Sequence, residues 1–582
     1  MGGSRRAKGE SERARPVPDG GDRRRTAALA LVLVAVTVAT YAGSLKAAFV
    51  FDDLTVIVEN PQLGKLWPPG PALLGVRGSP TGGRPLTALS FNVNALATRD
   101  PAGYRAVNIL IHAAAGLVLF VLLRRILGGR NARDSADSTA AAFAVALLWL
   151  VHPLQTEAVT YVSQRAESLM GLCFLTALYC AVRGFQSQPP GPWFRLAAAA
   201  SLLSVLAKEV GVVAPVLIVL YDALFVSGGV RAAARRHRGL YGGLALTWVA
   251  AGLLQLTAPR GHSVSLTSAA LTPLGYLARQ TVGILMYLKL AVWPSPLVFD
   301  YGYPPPAPGA GAAAAAGVVI AALAAASVVA ARRRLLAGFA GVAFLLILAP
   351  SSSVIPVLTE VLAEHRMYLP LACVLGVAVG CATSLAQRTA HHIALPHRAA
   401  AALGWTAVAL VAAALAAVTW QRNAVYASNL SLWRDTAAKV PANARAQSNL
   451  GMSLLQAGRV EEAVACFGKA VALDPGYFEA NGNLAVALER LGRSEEAVPY
   501  MRKAVELGPE SARAHETLVR LLGGLGRWDE AAAAALAYVR ALPDDGVANS
   551  LCAATLARVG RTAEAAGYAQ KARRLRGARG AP

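Results

Sequence analysis

The sequence predicts an all-α protein in two parts, a polytopic membrane domain of about eleven transmembrane helices followed by an α-solenoid of helical hairpins. Three observations predict it. Of 582 residues, 55% are hydrophobic and only 15% charged, with a mean hydropathy of +0.45. That is too apolar for the roughly four soluble domains that about 150 residues per domain would give. Long apolar stretches recur between residues 26 and 420, and beyond Trp420 hydropathy collapses into a repeat of fixed period.

The N-terminal segment 1–25 carries Arg5 to Arg25 and reads as a basic cytoplasmic end. The apolar stretch 26–45 is longer than a signal core and lacks a cleavage site, so an uncleaved signal anchor is expected. Further spans are expected near 106–123, 138–151, 168–182, 195–207, 210–226, 240–257, 312–331, 335–349, 368–386 and 399–420. With the N-terminus inside, Arg124–Arg125, Arg183 with Arg195, Arg231–Arg238, Arg332–Arg334 and Arg388 with Arg398 all fall on one side, as the positive-inside rule requires. The first outer loop is then 46–105 and a long one is 258–310. Within it Thr281–Trp293 is apolar but short and interrupted by Tyr287 and Lys289, so an interfacial or re-entrant helix is expected there. The spans 138–151 and 195–207 are also short and need enclosing neighbours.

The net charge of +23 therefore belongs to membrane topology, and a soluble nucleic-acid binder is excluded. Cys173, Cys180, Cys373, Cys381, Cys466 and Cys552 are scattered without a CxxC spacing, which indicates neither a disulfide framework nor a zinc ribbon.

Residues 421–441 read as a linker. Gly458, Gly492, Gly526 and Gly560 then recur every 34 residues, as do Arg459, Arg493, Arg527 and Arg561, Glu462, Glu496, Glu530 and Glu564, and Ala463, Ala497, Ala531 and Ala565. Pro441, Pro475, Pro509 and Pro543 share the period. Gly at a turn between helices, Ala where they touch and Pro between units is the pattern of tetratricopeptide repeats, about four of them over 442–575. An odd number of spans places them outside the cytoplasm. The tail, basic and Gly-rich from Arg573 and set apart as 576–582, is expected to fray.

The outer loops hold the ionisable side chains that need a reason. Phe51-Asp52-Asp53 follows the first span, and two adjacent carboxylates are either a solvated cap or a general base with a neighbour that orients it or binds a metal. If a divalent ion binds anywhere, Asp52 and Asp53 are its expected ligands. Arg84, Arg165, Lys208 and Arg366 lie on the face opposite the basic inside loops, where they suit an anionic headgroup such as phosphate. His152, Glu157 and Glu209 accompany them as candidates to orient these groups.

Phe51-Asp-Asp53, Arg84-Pro-Leu-Thr87, Tyr104 to His112, His152-Pro-Leu-Gln-Thr-Glu-Ala-Val159 with Gln164-Arg-Ala-Glu167, Lys208-Glu209 and Arg366-Met-Tyr-Leu-Pro370 resemble the transmembrane and tetratricopeptide-repeat O-mannosyltransferases. The likeness covers nearly the whole chain. It implies a GT-C-like glycosyltransferase that moves mannose or another hexose from a dolichyl- or polyprenyl-phosphate donor to Ser/Thr hydroxyls of proteins, with no certain cofactor. It also implies that the acidic motif, here Asp52 and Asp53, is catalytic, with Asp52 as the base and inversion at the anomeric carbon. By the same resemblance His152, Glu157 and Glu209 are candidates to bind sugar hydroxyls. The partners are then the lipid-linked donor, a peptide or protein acceptor held by the repeats, and the bilayer, with no nucleic acid. An Ala-, Gly- and Arg-heavy composition favours a bacterial inner membrane with periplasmic repeats, or the endoplasmic reticulum with lumenal repeats if the source is eukaryotic. The alternative is a non-catalytic membrane scaffold or a transporter of lipid-linked sugar that uses the repeats for protein partners.

Overall fold

The computed structural model describes residues 20–76, 78–128, 135–257, 271–302, 307–353, 356–357 and 360–579. Most of the basic end 1–25, part of the loop 258–310 and the last residues of the tail 576–582 lie outside the described residues. The longer helices are numbered α1 (Gly20–Tyr41), α2 (Pro101–Gly128), α3 (Ser135–Val151), α4 (Arg165–Phe185), α5 (Gly191–Ala207), α6 (Ala214–Tyr221), α7 (Arg238–Thr257), α8 (Pro273–Val292), α9 (Ala310–Arg332), α10 (Leu336–Leu348), α11 (Pro370–His392) and α12 (His397–Val425) in the apolar half. The repeat half follows with α13 (Asn429–Lys439), α14 (Ala444–Gln456), α15 (Val460–Leu473), α16 (Phe478–Arg490), α17 (Ser494–Leu507), α18 (Ala512–Gly524), α19 (Trp528–Ala541), α20 (Gly546–Arg558) and α21 (Thr562–Arg579). The chain is all-α, as expected.

Among the described residues, eight helices are long and apolar enough to cross a membrane. A pair bent by 55°, 137–151 with 153–160, and the shorter apolar helices Gly191–Ala207 and Leu336–Leu348 occupy the other stretches read as spans. The bend has a local cause. Pro153 has no N–H to continue α3, and the His152 ring accepts from the Leu154 N–H at 3.2 Å, capping the turn that follows. The short spans are enclosed: residues 142–151 of α3 are all buried, and α5 packs against α4 and α7.

Thr272, whose hydroxyl accepts from Gly275 N–H, and Pro273 at the first turn start α8 eight residues before the apolar run at Thr281. The helix buries Ile284, Tyr287, Leu290 and Ala291 in the core of the apolar half. Toward one end Tyr276 donates to the Ser351 carbonyl, and at the other the Ala291 carbonyl accepts from His152 at 3.2 Å.

In the repeats, Ala463, Ala497 and Ala531 are fully buried where helices touch. Gly458, Gly492, Gly526 and Gly560 have φ between 73° and 79°. A Cβ at each would meet nothing within 4 Å, so the left-handed backbone alone selects glycine. The periodic Arg and Glu pair with one another, Arg459–Glu462 and Arg493–Glu496 at 2.6 Å and Arg527–Glu530 and Arg561–Glu564 at 2.7 Å. The stretch read as a linker contains the end of α12 and the whole of α13, which Ser428 and Ser431 open with a capping box. The tail expected to fray from Arg573 is helical to Arg579.

Candidate functional site

The site lies at the mouth of the apolar half, where the ends of α1, α3 and α5 meet the start of α11 and the first helices of the solenoid. One face of α2 organises it. Arg105, Asn108 and His112 are fully buried, and the first two spend their donors on backbone carbonyls. The Arg105 guanidinium donates to Ala47 O and Ala48 O, and its Nε to Thr160 O at 3.1 Å. Asn108 Nδ2 donates to Val159 O at 3.2 Å. His112 lies 3.0 Å from the Tyr368 hydroxyl, and Trp149 donates to the Tyr368 carbonyl at 2.8 Å. Gly171 of α4 lets that ring in, since a Cβ there would stand 2.4 Å from it. The turn Glu364-His365-Arg366 is thereby pinned over the mouth.

The two adjacent acids have different environments. Asp53 is fully buried; Oδ1 accepts from Ser163 N–H at 2.7 Å and Ser163 Oγ–H at 2.6 Å, and Oδ2 from Val50 N–H at 3.2 Å. Its oxygens are engaged in joining the first outer loop to the turn before α4. Asp52 is half-buried, and its N–H donates to the Tyr161 hydroxyl at 3.1 Å. Burial pushes the Asp52 carboxyl up to about 7; the Tyr161 hydroxyl opposes this by hydrogen bonding, while Glu360 and Asp53 add to it and Arg445 works against it. Asp53 is pushed up by burial to about 6, with Ser163 and Val50 opposing. Phe51, just before them, has φ of 48° and its ring is boxed by Phe299 and Trp433. Its N–H donates to Asn429 at 2.8 Å, so the first helix of the repeat half helps to set the acidic loop.

The cations split into pairs and clamps. Arg84 forks onto Glu209, Nη2 to Oε1 at 3.0 Å and Nε to Oε2 at 3.3 Å. Buried Lys208 meets Glu167 at 2.5 Å. Arg366 is tied to the carbonyls of Ser351 at 2.8 Å, Val361 at 3.0 Å and Glu360. Arg165 is spent: it bonds Asn108 at 2.6 Å, Asn94 at 2.8 Å and the Tyr104 carbonyl at 2.9 Å, and its guanidinium lies 4.4 Å over the Phe91 ring. His152 is used between Leu154 and Ala291.

Glu157 accepts from His365 twice, from its N–H at 3.1 Å and from Nδ1 at 2.7 Å. Beside it, Glu364 accepts from Tyr301 at 3.0 Å, and burial pushes its carboxyl up to about 7 against the opposing charge of Arg422. Burial, helped by Lys208, lowers the His365 ring to about 4.

Residues 426–478 and 448–512 match the family described as Tetratricopeptide repeat. Protein O-mannosyl-transferase F38B6.6 of Caenorhabditis elegans is 27% identical over 478 residues, which cover 77% of this chain and 63% of that protein. Protein O-mannosyl-transferase Tmtc3 of Drosophila melanogaster is 34% identical over 226 residues, covering 34% of this chain and 24% of the fly protein. Human protein O-mannosyl-transferase TMTC4 is 30% identical over 216 residues, with 34% and 29% covered. Over these stretches the chain is similar to protein O-mannosyl-transferases. It spans less than two thirds of the length of these relatives. Among solved structures, MamA 41-end from Desulfovibrio magneticus RS-1 is 20% identical over 26% of this chain and 86% of that one, at a TM-score of 0.24.

Of the residues singled out by sequence, Asp52, Asp53, Lys208, Glu209, Arg84, Glu157 and Arg366 lie at the mouth, whereas Arg165 and His152 are spent on bracing contacts. Tyr161, Glu360, Glu364, Arg422 and the pair Asp300–Arg445, joined at 2.5 Å, also belong to the mouth and were not singled out by sequence. Glu364 and His365 stand immediately before the motif Arg366-Met-Tyr-Leu-Pro370. Arg422 lay just beyond the last apolar stretch, where a basic residue reads as an interfacial anchor.

Proposed function

We propose that this protein is an integral membrane glycosyltransferase. It moves a hexose, mannose by likeness to its relatives, from a polyprenyl- or dolichyl-phosphate donor to Ser/Thr hydroxyls of protein acceptors on the non-cytoplasmic side. The observation that carries this reading is Asp52, a half-buried carboxyl raised to about 7, beside a neighbour whose own oxygens are engaged. A base poised near neutral pH takes a proton readily from a hydroxyl. In the proposed step the acceptor oxygen bonds to the anomeric carbon as the carbon–oxygen bond to the lipid phosphate breaks. Asp52 takes the hydroxyl proton, and the phosphate leaves as a stable anion. A single displacement inverts the anomeric centre, unlike the double displacement of retaining glycosidases.

Asp53 and Tyr161 position Asp52. Arg84 and Lys208, already paired with Glu209 and Glu167, supply positive charge for the departing phosphate. Arg366 holds the loop that carries Glu360, and Arg165 and His152 keep structural roles. The repeats, joined to the mouth through α13, hold the acceptor near the reacting centre and raise its local concentration. Chain composition favours a bacterial inner membrane with periplasmic repeats. Mass analysis of envelope and secreted proteins from cells with and without this chain is the test. Loss of a hexose from defined Ser/Thr sites is expected, and an unchanged hexose pattern overturns the reading.

A further inference from the structure

We propose that His365 and Glu360, with Glu157 orienting the His365 ring, form a site for a divalent transition-metal ion of the Mn2+ class at the edge of the mouth. One ligand atom from each of the three lies within 4.8 Å of the others. Glu157 and His365 are buried and Glu360 is half-exposed, so the group is rigid on one side and open to an entering ion on the other.

The hydrogen bonds fix which ring nitrogen is available. Glu157 receives the His365 main-chain N–H on one oxygen and the ring Nδ1 on the other, 2.7 Å away. When Glu157 is ionised it only accepts, which places the proton on Nδ1 and leaves Nε2 its lone pair. His365 is only 3% exposed, and Nε2 faces Glu360 Oε2 at 3.6 Å, too long for a hydrogen bond. In that tautomer two electron-rich atoms face one another. A metal about 2.1 Å from each nitrogen and oxygen donor bridges such a gap at an ordinary ligand angle.

The pattern of carboxylate, imidazole and metal in line is the one that orients metal-ligating histidines generally, with the carboxylate fixing the tautomer. Of the nearby cations, Lys208 pairs with Glu167 and Arg422 Nη1 with Asp435 at 2.8 Å, while Arg422 Nε and Nη2 have no hydrogen-bond partner among the described residues. One imidazole nitrogen with carboxylate oxygens and further positions left for water or a phosphate oxygen suits Mn2+ better than a thiolate-seeking metal. Asp52 and Asp53 are not part of this site: the oxygens of Asp53 are engaged by Ser163 and Val50.

The test uses the full chain in lipid nanodiscs, stripped with chelator and titrated with Mn2+ alone while free Mn2+ is followed by electron paramagnetic resonance. One ion per chain is expected, with nitrogen coupling from an imidazole in the bound spectrum. Glu360→Gln and His365→Gln each weaken binding about tenfold or more, whereas Glu209→Gln, an acid of the same mouth paired with Arg84, leaves it unchanged. Melting curves of the metal-free variants identify any that do not fold, and half-exposed Glu360 carries the test if His365→Gln does not. Absence of bound Mn2+, absence of nitrogen coupling, or equal loss in Glu209→Gln overturns the proposal. No sugar donor is present, so failure here leaves the transfer reading standing, and failure of that reading leaves ion binding standing.

Discussion

Asp52 and Asp53 are neighbours in sequence with opposite engagements. Asp53 is surrounded by donors from Ser163 and Val50, while Asp52 meets one tyrosine hydroxyl, with the charges of Glu360 and Asp53 opposed by Arg445. The pair was legible as a candidate; the division of labour was not, because Ser163 and Tyr161 lie over a hundred residues downstream. Separations of 57 to 71 residues likewise hid the engagement of Arg165, a cation whose guanidinium is consumed by Asn108, the Tyr104 carbonyl and Asn94. If Asp52 is the base, only its ionised form works, so transfer rises with pH through about 7 and levels above it. Folding responds with the opposite sign. A carboxyl held above its unfolded value of 3.8 favours the protonated native state, so its contribution to stability is lost as pH rises from about 4 to about 7. Rate profiles with a saturating donor check this, and a flat or falling profile across that range contradicts the assignment.

At the scale of elements, hydropathy located the helices of the apolar half, and the 34-residue period located the hairpins. What the period did not disclose was a second contact of the same spacing. The carbonyls of Pro441, Pro475, Pro509 and Pro543 accept from the side chains of Gln447, Asn481, His515 and Asn549 at 3.0 to 3.2 Å. Three different residue types serve one role there and only Asn recurs, at 481 and 549, so no identity repeats every 34 residues. The turn glycines are sharper. Gly526→Ala places a Cβ on a φ of 73° in open space and costs about 1 kcal/mol through the backbone alone; the thermal midpoint of the purified chain falls accordingly, and an unchanged midpoint refutes the argument. For α8, Tyr276 bonds Ser351 and Ala291 bonds His152, both mouth-side partners. Cysteines placed at Leu274 and Val292, each 78% exposed, should therefore both react with an impermeant maleimide from the outer side in a cysteine-free background. Labelling from opposite sides shows that the helix crosses.

At the scale of the whole molecule, the membrane half and the repeat half share the site. The Ala427 carbonyl accepts from Ala48 N–H at 3.0 Å, Asn429 holds Phe51, and Asp435 meets Arg422 at 2.8 Å. Asn443 and Arg445 grip Asp300 of the outer loop, Asn443 Nδ2 at 2.9 Å from its carbonyl. The sequence separated these halves at a linker because the composition changes there, yet α13 is the piece that closes over the acidic loop. Long-range polar contacts of this kind leave no local periodicity. The central claim is that Asp52 removes the acceptor proton. Its most direct test is the rate of hexose transfer from a mannosyl-phospho-polyprenol to a Ser/Thr peptide by the purified chain in nanodiscs, wild type against Asp52→Asn. A fall of about a hundredfold or more with an unreduced thermal midpoint is expected; transfer at the wild-type rate contradicts the account.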